Sequence, residues 1–396
     1  MSRSLNIAHC VEFYAPSVGG MQEVVKQLSE RMVRMGHRVT VFTSTISSRT
    51  TDEINGVTIR SFQVSGNAAE GITGDADAYW QALSSGGFDV ITLFAAQQWT
   101  ADVVLPRVRE LKAATVFVPT GFSRAHDPKM ADYYARMPEW MREVDLNVFL
   151  SHTYRDAMFA TAHGIQRRTL IPNGAAQEEF DAPPTLDIRA SFGLQRDTLL
   201  LLHVGGYTGA KGQLEALRIY LRAHTGNAVL LLVGNGIQGL ERTFHRHWRF
   251  LPSRLRARIL RKRIIFKELD RAATVAAMRQ ADLFLFPSLV ECSPIVLFET
   301  MAAGVPFLAS RAGNAEEIMD WTNAGWIIAG TRDEQGLEHP DIAAGAQLLT
   351  ELIAHPQQLK ERGANGRKAW REHYTWQHIA ERYLLEYQRL VAEKHG

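Results

Sequence analysis

LNIAHCVEFYAPSVGGMQEVVKQLSERMVRMGHRVTVFT, residues 5–43, reads as strand, glycine loop, helix and strand in succession. Leu5 to Phe13 is a short apolar run, and Pro16, Gly19 and Gly20 then break it. From Glu23 to Met35, the side chains of Val24, Leu28, Met32 and Met35 recur at helical spacing and share one face. Gly36 ends that helix, and Arg38 to Thr43 begins the next strand. Such a unit implies parallel pairing through a right-handed crossover. Further runs at Asp89 to Phe94, Ala114 to Val118 and Leu146 to Leu150 are continuously apolar. Unbroken apolar strands suit a sheet covered on both faces.

The texture changes between 171 and 198, where Asn173, Gly174, Pro183 and Pro184 interrupt a polar stretch. Residues 173–198 are expected to be a linker between a domain at 1–172 and a second at 199–375. The strand pattern restarts at Leu199 to Val204, then at Ala228 to Val233, Ile264 to Phe266, Leu283 to Phe286 and Val305 to Ala309. The tail, Trp376 to Glu393, has Ile379, Tyr383, Leu384 and Tyr387 in helical register. The expected fold is α/β, with two doubly wound Rossmann-like domains. Ligands of such sheets bind outside the carboxyl ends of the strands, so a cleft between the domains is the expected site.

Composition narrows the function classes. A net charge of +2 gives no overall basic balance for nucleic acid. Two distant cysteines, Cys10 and Cys292, form neither a disulfide framework nor a zinc spacing. No apolar run is long enough to span a membrane, and the N-terminal residues are too polar for a signal peptide. The expected location is therefore cytoplasmic, with any membrane contact made from the surface, at its inner face.

Residues 284–304, FLFPSLVECSPIVLFETMAAG, carry the densest chemistry. A buried strand ends at Pro287. Ser293 followed by Pro294 predicts a capped helix start, and Gly304 predicts its end. The first-turn amides of Ile295 and Val296 lack intrahelical partners and face the positive end of the dipole, a ready site for a diphosphate. Glu299 is the only charged residue of an otherwise apolar helix, so it needs a partner. A ribose diol would serve, and so would a local arginine. Glu291 sits in the preceding loop.

Residues 199–213, LLLLHVGGYTGAKGQ, lead a strand into Gly205, Gly206, Gly209, Lys211 and Gly212. Glycines let backbone approach a phosphate and Lys211 supplies a cation, although the order is not that of an NTPase P-loop. An ordinary strand–helix turn with a surface lysine is the plainer reading. Gly234, Gly236 and Gly239 match the dinucleotide spacing. The basic, proline-interrupted segment that follows argues against a compact Rossmann helix there. Glu241 to Arg263 holds eight arginines, one lysine and two histidines, with Leu251, Leu255, Ile259, Leu260 and Trp248 on an apolar face. Contact with anionic lipid and a solvated helix pair over a sheet edge are both open. Residues 121–141, GFSRAHDPKMADYYARMPEWM, mix Arg124, His126, Asp127 and Lys129 with Tyr133, Tyr134 and Trp140, a mixture suited to sugars.

Taken together, PSVGGMQEVV, GHRVTVFT, IPNG, HVGGYTGAKG, LLVGNG, ADLFLFPS, ECSPIVLFE and AAGVPFLASRAGNAEEI resemble the retaining glycosyltransferases of family 4, which have the GT-B fold. ECSPIVLFE is most similar to members that build cell-surface polysaccharide and lipopolysaccharide. The resemblance implies a nucleoside diphosphate sugar donor, UDP-sugar favoured over GDP-sugar, and a glycan or lipid-linked glycan acceptor. It implies neither cofactor nor metal. By the same resemblance Glu291 touches the donor sugar, and Lys211 neutralises the diphosphate beside Gly205 and Gly206. Ser293, Pro294, Ile295 and Val296 hold the diphosphate or sugar, and Glu299 holds the ribose. Gly19 and Gly20 close over the donor, and the final helix returns to the first domain. Two positions depart from the family pattern. Gly206 stands where an arginine is usual, and Thr120 stands where a histidine is usual, with His126 nearby. These departures keep a catalytically inactive, sugar-nucleotide-binding subunit as an alternative. A nicotinamide-dependent dehydrogenase and a sugar-nucleotide epimerase are weaker ones.

Overall fold

The computed structural model describes residues 3–122, 124–183, 186–247 and 250–395. Pro184 and Trp248, named above, lie outside the described residues. The chain divides into two compact units, Met1–Asn173 with Trp376–Gly396, and Gly174–Thr375.

The first unit begins β1 (Asn6–Cys10), α1 (Gly20–Arg34), β2 (Arg38–Ser44), β3 (Glu53–Ile54), β4 (Val57–Phe62), β5 (Val64–Asn67), β6 (Gly71–Gly74) and α2 (Ala76–Ser84). It continues β7 (Val90–Phe94), α3 (Trp99–Asp102), β8 (Ala114–Val118), α4 (Ala131–Glu143), β9 (Leu146–Phe149), α5 (Arg155–Ala162) and β10 (Arg168–Leu170). Its main sheet runs β10-β9-β8-β7-β1-β2-β4-β3, parallel except for β3. Strand order reverses at the β1–β7 seam. The strands β1, β7 and β8 are almost fully buried, as expected where helices cover both faces of a sheet.

The second unit opens with α6 (Gln177–Phe180) and α7 (Ile188–Ser191). Then come β11 (Leu199–Val204), α8 (Gln213–Arg222), β12 (Ala228–Val233), α9 (Ile237–Arg246), α10 (Leu251–Ile259), β13 (Arg263–Lys267), α11 (Arg271–Gln280) and β14 (Leu283–Phe286). The unit closes with α12 (Ile295–Ala303), β15 (Phe307–Ala309), α13 (Ala315–Thr322), β16 (Gly325–Ile327), β17 (Gly330–Arg332), β18 (Glu338–Pro340), α14 (Ile342–Ala354) and α15 (Pro356–His373). Its six-stranded parallel sheet runs β13-β12-β11-β14-β15-β16, and the order reverses at β11–β14.

The expected linker is not a separate stretch. Phe180 and Ile188 are buried in the second unit's core. Arg189 bonds Asp282 at 2.6 Å and the Thr198 carbonyl at 2.7 Å. Prolines and polar residues gave a linker texture, but two apolar anchors decide the packing. The last helix, α16 (Trp376–His395), groups with the first unit. There the Tyr387 hydroxyl reaches His9 Nε2 at 3.2 Å and Thr92 Oγ1 at 2.6 Å, which ties the helix to β1 and β7. His9 Nδ1 meets Ser29 Oγ of α1 at 2.8 Å. Burial drives the His9 pKa down to about 3, so the imidazole is neutral.

Candidate active site at the carboxyl edge of the second unit

The loops after β11 and β14 leave adjacent parallel strands at the point where strand order reverses, the usual ligand crevice of such a sheet. They are laced together. The Leu289 amide donates to the Ala210 carbonyl at 2.8 Å, and Ser288 Oγ reaches the same carbonyl at 3.1 Å. Lys211 Nζ lies 2.8 Å from Glu291 Oε1, which also accepts from Ser288 Oγ at 3.0 Å. Two loops 80 residues apart in sequence thus deliver an ammonium and a carboxylate to one point. Close approach requires glycine at two places. Gly212 has φ +79°, and a Cβ there would collide with the Pro287 carbonyl. Gly313 has φ +64°, and a Cβ there would strike Cys292 and Glu291.

Gly205 and Gly206 frame the other side of the Lys211 loop. Both carbonyls accept from Gln213 Nε2, at 2.8 and 3.1 Å. Beneath them, His203 Nδ1 donates to the Leu285 carbonyl at 2.8 Å across the β11–β14 seam. Burial lowers the His203 pKa to about 4; the Leu285 carbonyl opposes this and Lys211 adds to it. The floor of the site is therefore a neutral imidazole. Gly206 has no heavy atom within 4 Å of a notional Cβ, so the missing arginine reflects sequence rather than space.

The start of α12 differs from the expected cap. Pro294 itself is the N-cap, with no side-chain cap bond, and α12 begins at Ile295. Ser293 is turned to Asn314, whose Nδ2 donates to its Oγ at 3.2 Å. The Asn314 amide in turn bonds the Cys292 carbonyl at 3.0 Å. Pro294 has no side-chain oxygen with which to cap the first-turn amides. Gly304 ends the helix in the left-handed region, as the sequence implied.

Glu299 is buried, but it is not a lone carboxylate. Arg271 Nη2 lies 2.5 Å from Glu299 Oε1 and also pairs with Glu179 through Nε at 2.8 Å and through Nη2. The carboxylate has the partner that its burial requires, an arginine as one of the two readings allowed, supplied by α11 and not by the surrounding sequence. Arg271, Gln213, Ser288 and Asn314 were all missed. Arg271 and Asn314 act from other elements, whereas Gln213 and Ser288 lie within the quoted stretches but are uncharged and carry no signal that sets them apart.

The glycine-spaced turn after β12 packs on this site. The Tyr207 amide bonds the Asn235 carbonyl at 2.8 Å, and the Gly236 amide bonds Glu268 Oε1 at 2.7 Å. The following segment does form a compact helix, contrary to expectation. In α9 the side chains of Ile237, Leu240 and Phe244 are buried, and Pro252 lies in the first turn of α10 instead of interrupting a helix.

In the first unit, Gly19 is the N-cap of α1 and Gly20 its first residue. Thr120 follows β8 with φ +60°, and His126 is exposed in the next turn. These residues share the carboxyl edge of one parallel sheet. Among the described residues no hydrogen bond or ion pair links them to one another. Ala95, Gln97 and Phe122 also hold left-handed backbone at the ends of β7 and β8. Strained non-glycine residues thus cluster at the same strand ends as Thr120, a backbone feature that the sequence did not reveal. The aromatics expected to meet sugar are partly core. Tyr133 and Trp140 are buried, and the Tyr133 hydroxyl donates to Asp102 at 2.8 Å. Arg124 is engaged with Glu70 and Asp127.

Residues 198–340 match the family described as Glycosyl transferases group 1, and residues 18–178 match Glycosyltransferase Family 4. The chain thus carries a group 1 and a Family 4 glycosyltransferase domain. Among relatives, alpha-maltose-1-phosphate synthase of Mycolicibacterium smegmatis is 31% identical over 28% of this chain and 28% of its own. N-acetyl-alpha-D-glucosaminyl L-malate synthase of Bacillus anthracis is 24% identical over 53% of this chain and 50% of its own. The chain thus spans about half or less of the length of these curated relatives. Solved structures agree on the GT-B fold. Sucrose-phosphate synthase from Thermosynechococcus elongatus gives TM-score 0.75 at 19% identity, covering 99% of this chain and 100% of that one. WaaG, a glycosyltransferase involved in lipopolysaccharide biosynthesis, gives 0.68 at 19%, covering 95% and 98%. Anabaena HepE in complex with UDP and glucose gives 0.72 at 14%, covering 96% and 99%.

Proposed function

We propose that this chain transfers a sugar from a nucleoside diphosphate sugar, most naturally a UDP-sugar, to a hydroxyl of a glycan or lipid-linked glycan, with retention of anomeric configuration. The observation that carries this reading is the Lys211–Glu291 pair, 2.8 Å apart at the β11–β14 switch point. It places a cation for the diphosphate beside a carboxylate able to accept from sugar hydroxyls. The start of α12 adds backbone amides and a helix dipole. Glu299, oriented by Arg271, is assigned the ribose hydroxyls. The cell-envelope setting rests on the likeness of ECSPIVLFE to enzymes of surface polysaccharide synthesis.

In the proposed step, the bond from the anomeric carbon to the diphosphate oxygen breaks while the acceptor oxygen bonds the same face. The acceptor proton passes to the leaving phosphate oxygen. What the protein supplies is charge stabilisation of the leaving diphosphate and orientation of the acceptor. The test is UDP release from a panel of UDP-hexoses with envelope-glycan acceptors, with product configuration read by NMR. Release that depends on acceptor, with a retained anomer, supports the reading. An inverted anomer, or turnover unaffected by both Lys211→Ala and Glu291→Ala, would sink it.

Gly206 favours a second reading, in which the chain binds the donor but does not turn it over, because the leaving group lacks one cation. Donor binding without release on any acceptor would support that version.

A further inference from the structure

The α9–α10 hairpin is rooted in the second unit's core through Ile237, Leu240, Phe244 and Ala257, but its outer surface has no part in either the donor site or the core. Residues 242–267 contain ten arginines and lysines and no aspartate or glutamate. One side of α10 leaves its aliphatic residues in solvent. Leu251 is 58% exposed, Leu255 57%, Ile259 70% and the following Leu260 43%. The first three recur every fourth residue and form a stripe. Only Ala257 of α10 is buried, so the helix lies on the unit with its apolar stripe turned outward.

The cations divide into two sets. Arg254 donates to the carbonyls of Phe244 and His245, Arg256 to that of Leu221, and Lys262 to those of Tyr220 and Ala223. These bonds fix the hairpin to α8 and α9 without neutralising it, because every acceptor is uncharged. Arg242, Arg246, Arg258 and Arg261 are exposed, and among the described residues none of them makes an ion pair.

We infer that this hairpin is an interfacial docking surface for an anionic lipid bilayer, with α10 lying in the headgroup plane. An aliphatic stripe beside uncompensated arginines is the pattern that combines apolar insertion with attraction to acidic headgroups. Nucleic acid would use the cations but leaves the leucines unexplained, since duplexes are held through their phosphates and single strands by stacking on aromatic rings. A second copy of the chain would bring two like-charged faces together. This inference does not depend on the transferase reading.

The test is co-sedimentation of the full chain with phosphatidylcholine vesicles, with and without about one third phosphatidylglycerol. Two double variants, Arg258→Glu with Arg261→Glu and Leu255→Ser with Ile259→Ser, change only exposed positions. Arg38→Glu, exposed on the first unit, is the control. The expected result is binding to the acidic vesicles alone, lost in high salt and unchanged in the control. Since each cation near an acidic surface is worth roughly fivefold, the charge reversal should weaken binding at least about thirtyfold. The serine pair should weaken it about tenfold or more. Circular dichroism and UDP binding should stay at wild-type values. Equal binding to neutral vesicles, no vesicle binding, or unchanged binding by both double variants overturns the inference. So does heparin or duplex DNA retention without vesicle binding, or a change of oligomeric state as the only effect.

Discussion

Lys211 and Glu291 neutralise each other, so under the proposed function a diphosphate draws the ammonium toward itself. Lys211→Met should therefore reduce turnover about a hundred- to a thousandfold, the usual loss when one donor to a leaving oxyanion is removed. Stability should fall by only about 1 kcal/mol, because the lysine is about one third exposed and Glu291 keeps its bond from Ser288. Steady-state kinetics and urea unfolding separate the two effects. Gly206 invites the opposite experiment. Its Cβ position is open, so Gly206→Arg should fold normally and tighten UDP binding by about tenfold, measured by calorimetry. Glu299 and Arg271 behave differently. Arg271→Ala leaves a buried carboxylate without its partner and should destabilise the second unit by about 2 kcal/mol, whereas Glu299→Gln should cost less than half of that. Denaturant melts followed by tryptophan fluorescence give the comparison. At this scale the sequence was partly legible. Glu299 stood out because it is charged within an apolar helix, but Arg271 lies 28 residues earlier and no local pattern connects them.

Elements were more legible than residues. The strands Ala114–Val118, Leu199–Val204, Ala228–Val233 and Leu283–Phe286 match the apolar runs that announced them, because a doubly covered strand must be apolar throughout. The short hairpin β5–β6, the β17–β18 pair and the helices α6 and α7 were not announced. They are too short for periodicity to rise above composition, and α6 and α7 hold on through single anchors such as Phe180 and Ile188. The docking of α16 yields a pH prediction. His9, with its pKa of about 3 in the fold against 6.5 unfolded, gains a proton only on unfolding between those values. Its stabilising contribution is complete above pH 6.5 and falls as pH drops toward 3, by up to about 1.4 kcal/mol per pH unit. Asp102 and Asp156, which burial raises to about 6, act in the opposite sense between 3.8 and 6, so the wild-type profile alone is mixed. The difference between wild type and His9→Asn isolates the histidine. That difference should shrink by about 2 kcal/mol between pH 7.5 and pH 5 in urea unfolding. A constant difference would mean that His9 titrates as it does in the unfolded chain.

At the scale of the whole molecule, one chain folds as two doubly wound units, and the last helix belongs with the first of them. That arrangement was readable because the βαβ pattern occurs twice and the tail is amphipathic. The unit boundary was less readable, since prolines signal a break in the chain without showing which side claims the residues around it. Under the proposed function, the nucleoside diphosphate is recognised at the second unit's switch point, with Lys211 as its cation. Ligand that binds only the folded state raises the melting temperature. The most direct test is a thermal-shift comparison of UDP, GDP, ADP and NAD on wild type and Lys211→Met. The account predicts an upward shift with UDP of several degrees, smaller or absent with the other nucleotides, and largely lost in Lys211→Met. No shift with any nucleoside diphosphate, a shift with NAD alone, or a UDP shift equal in both proteins would contradict it.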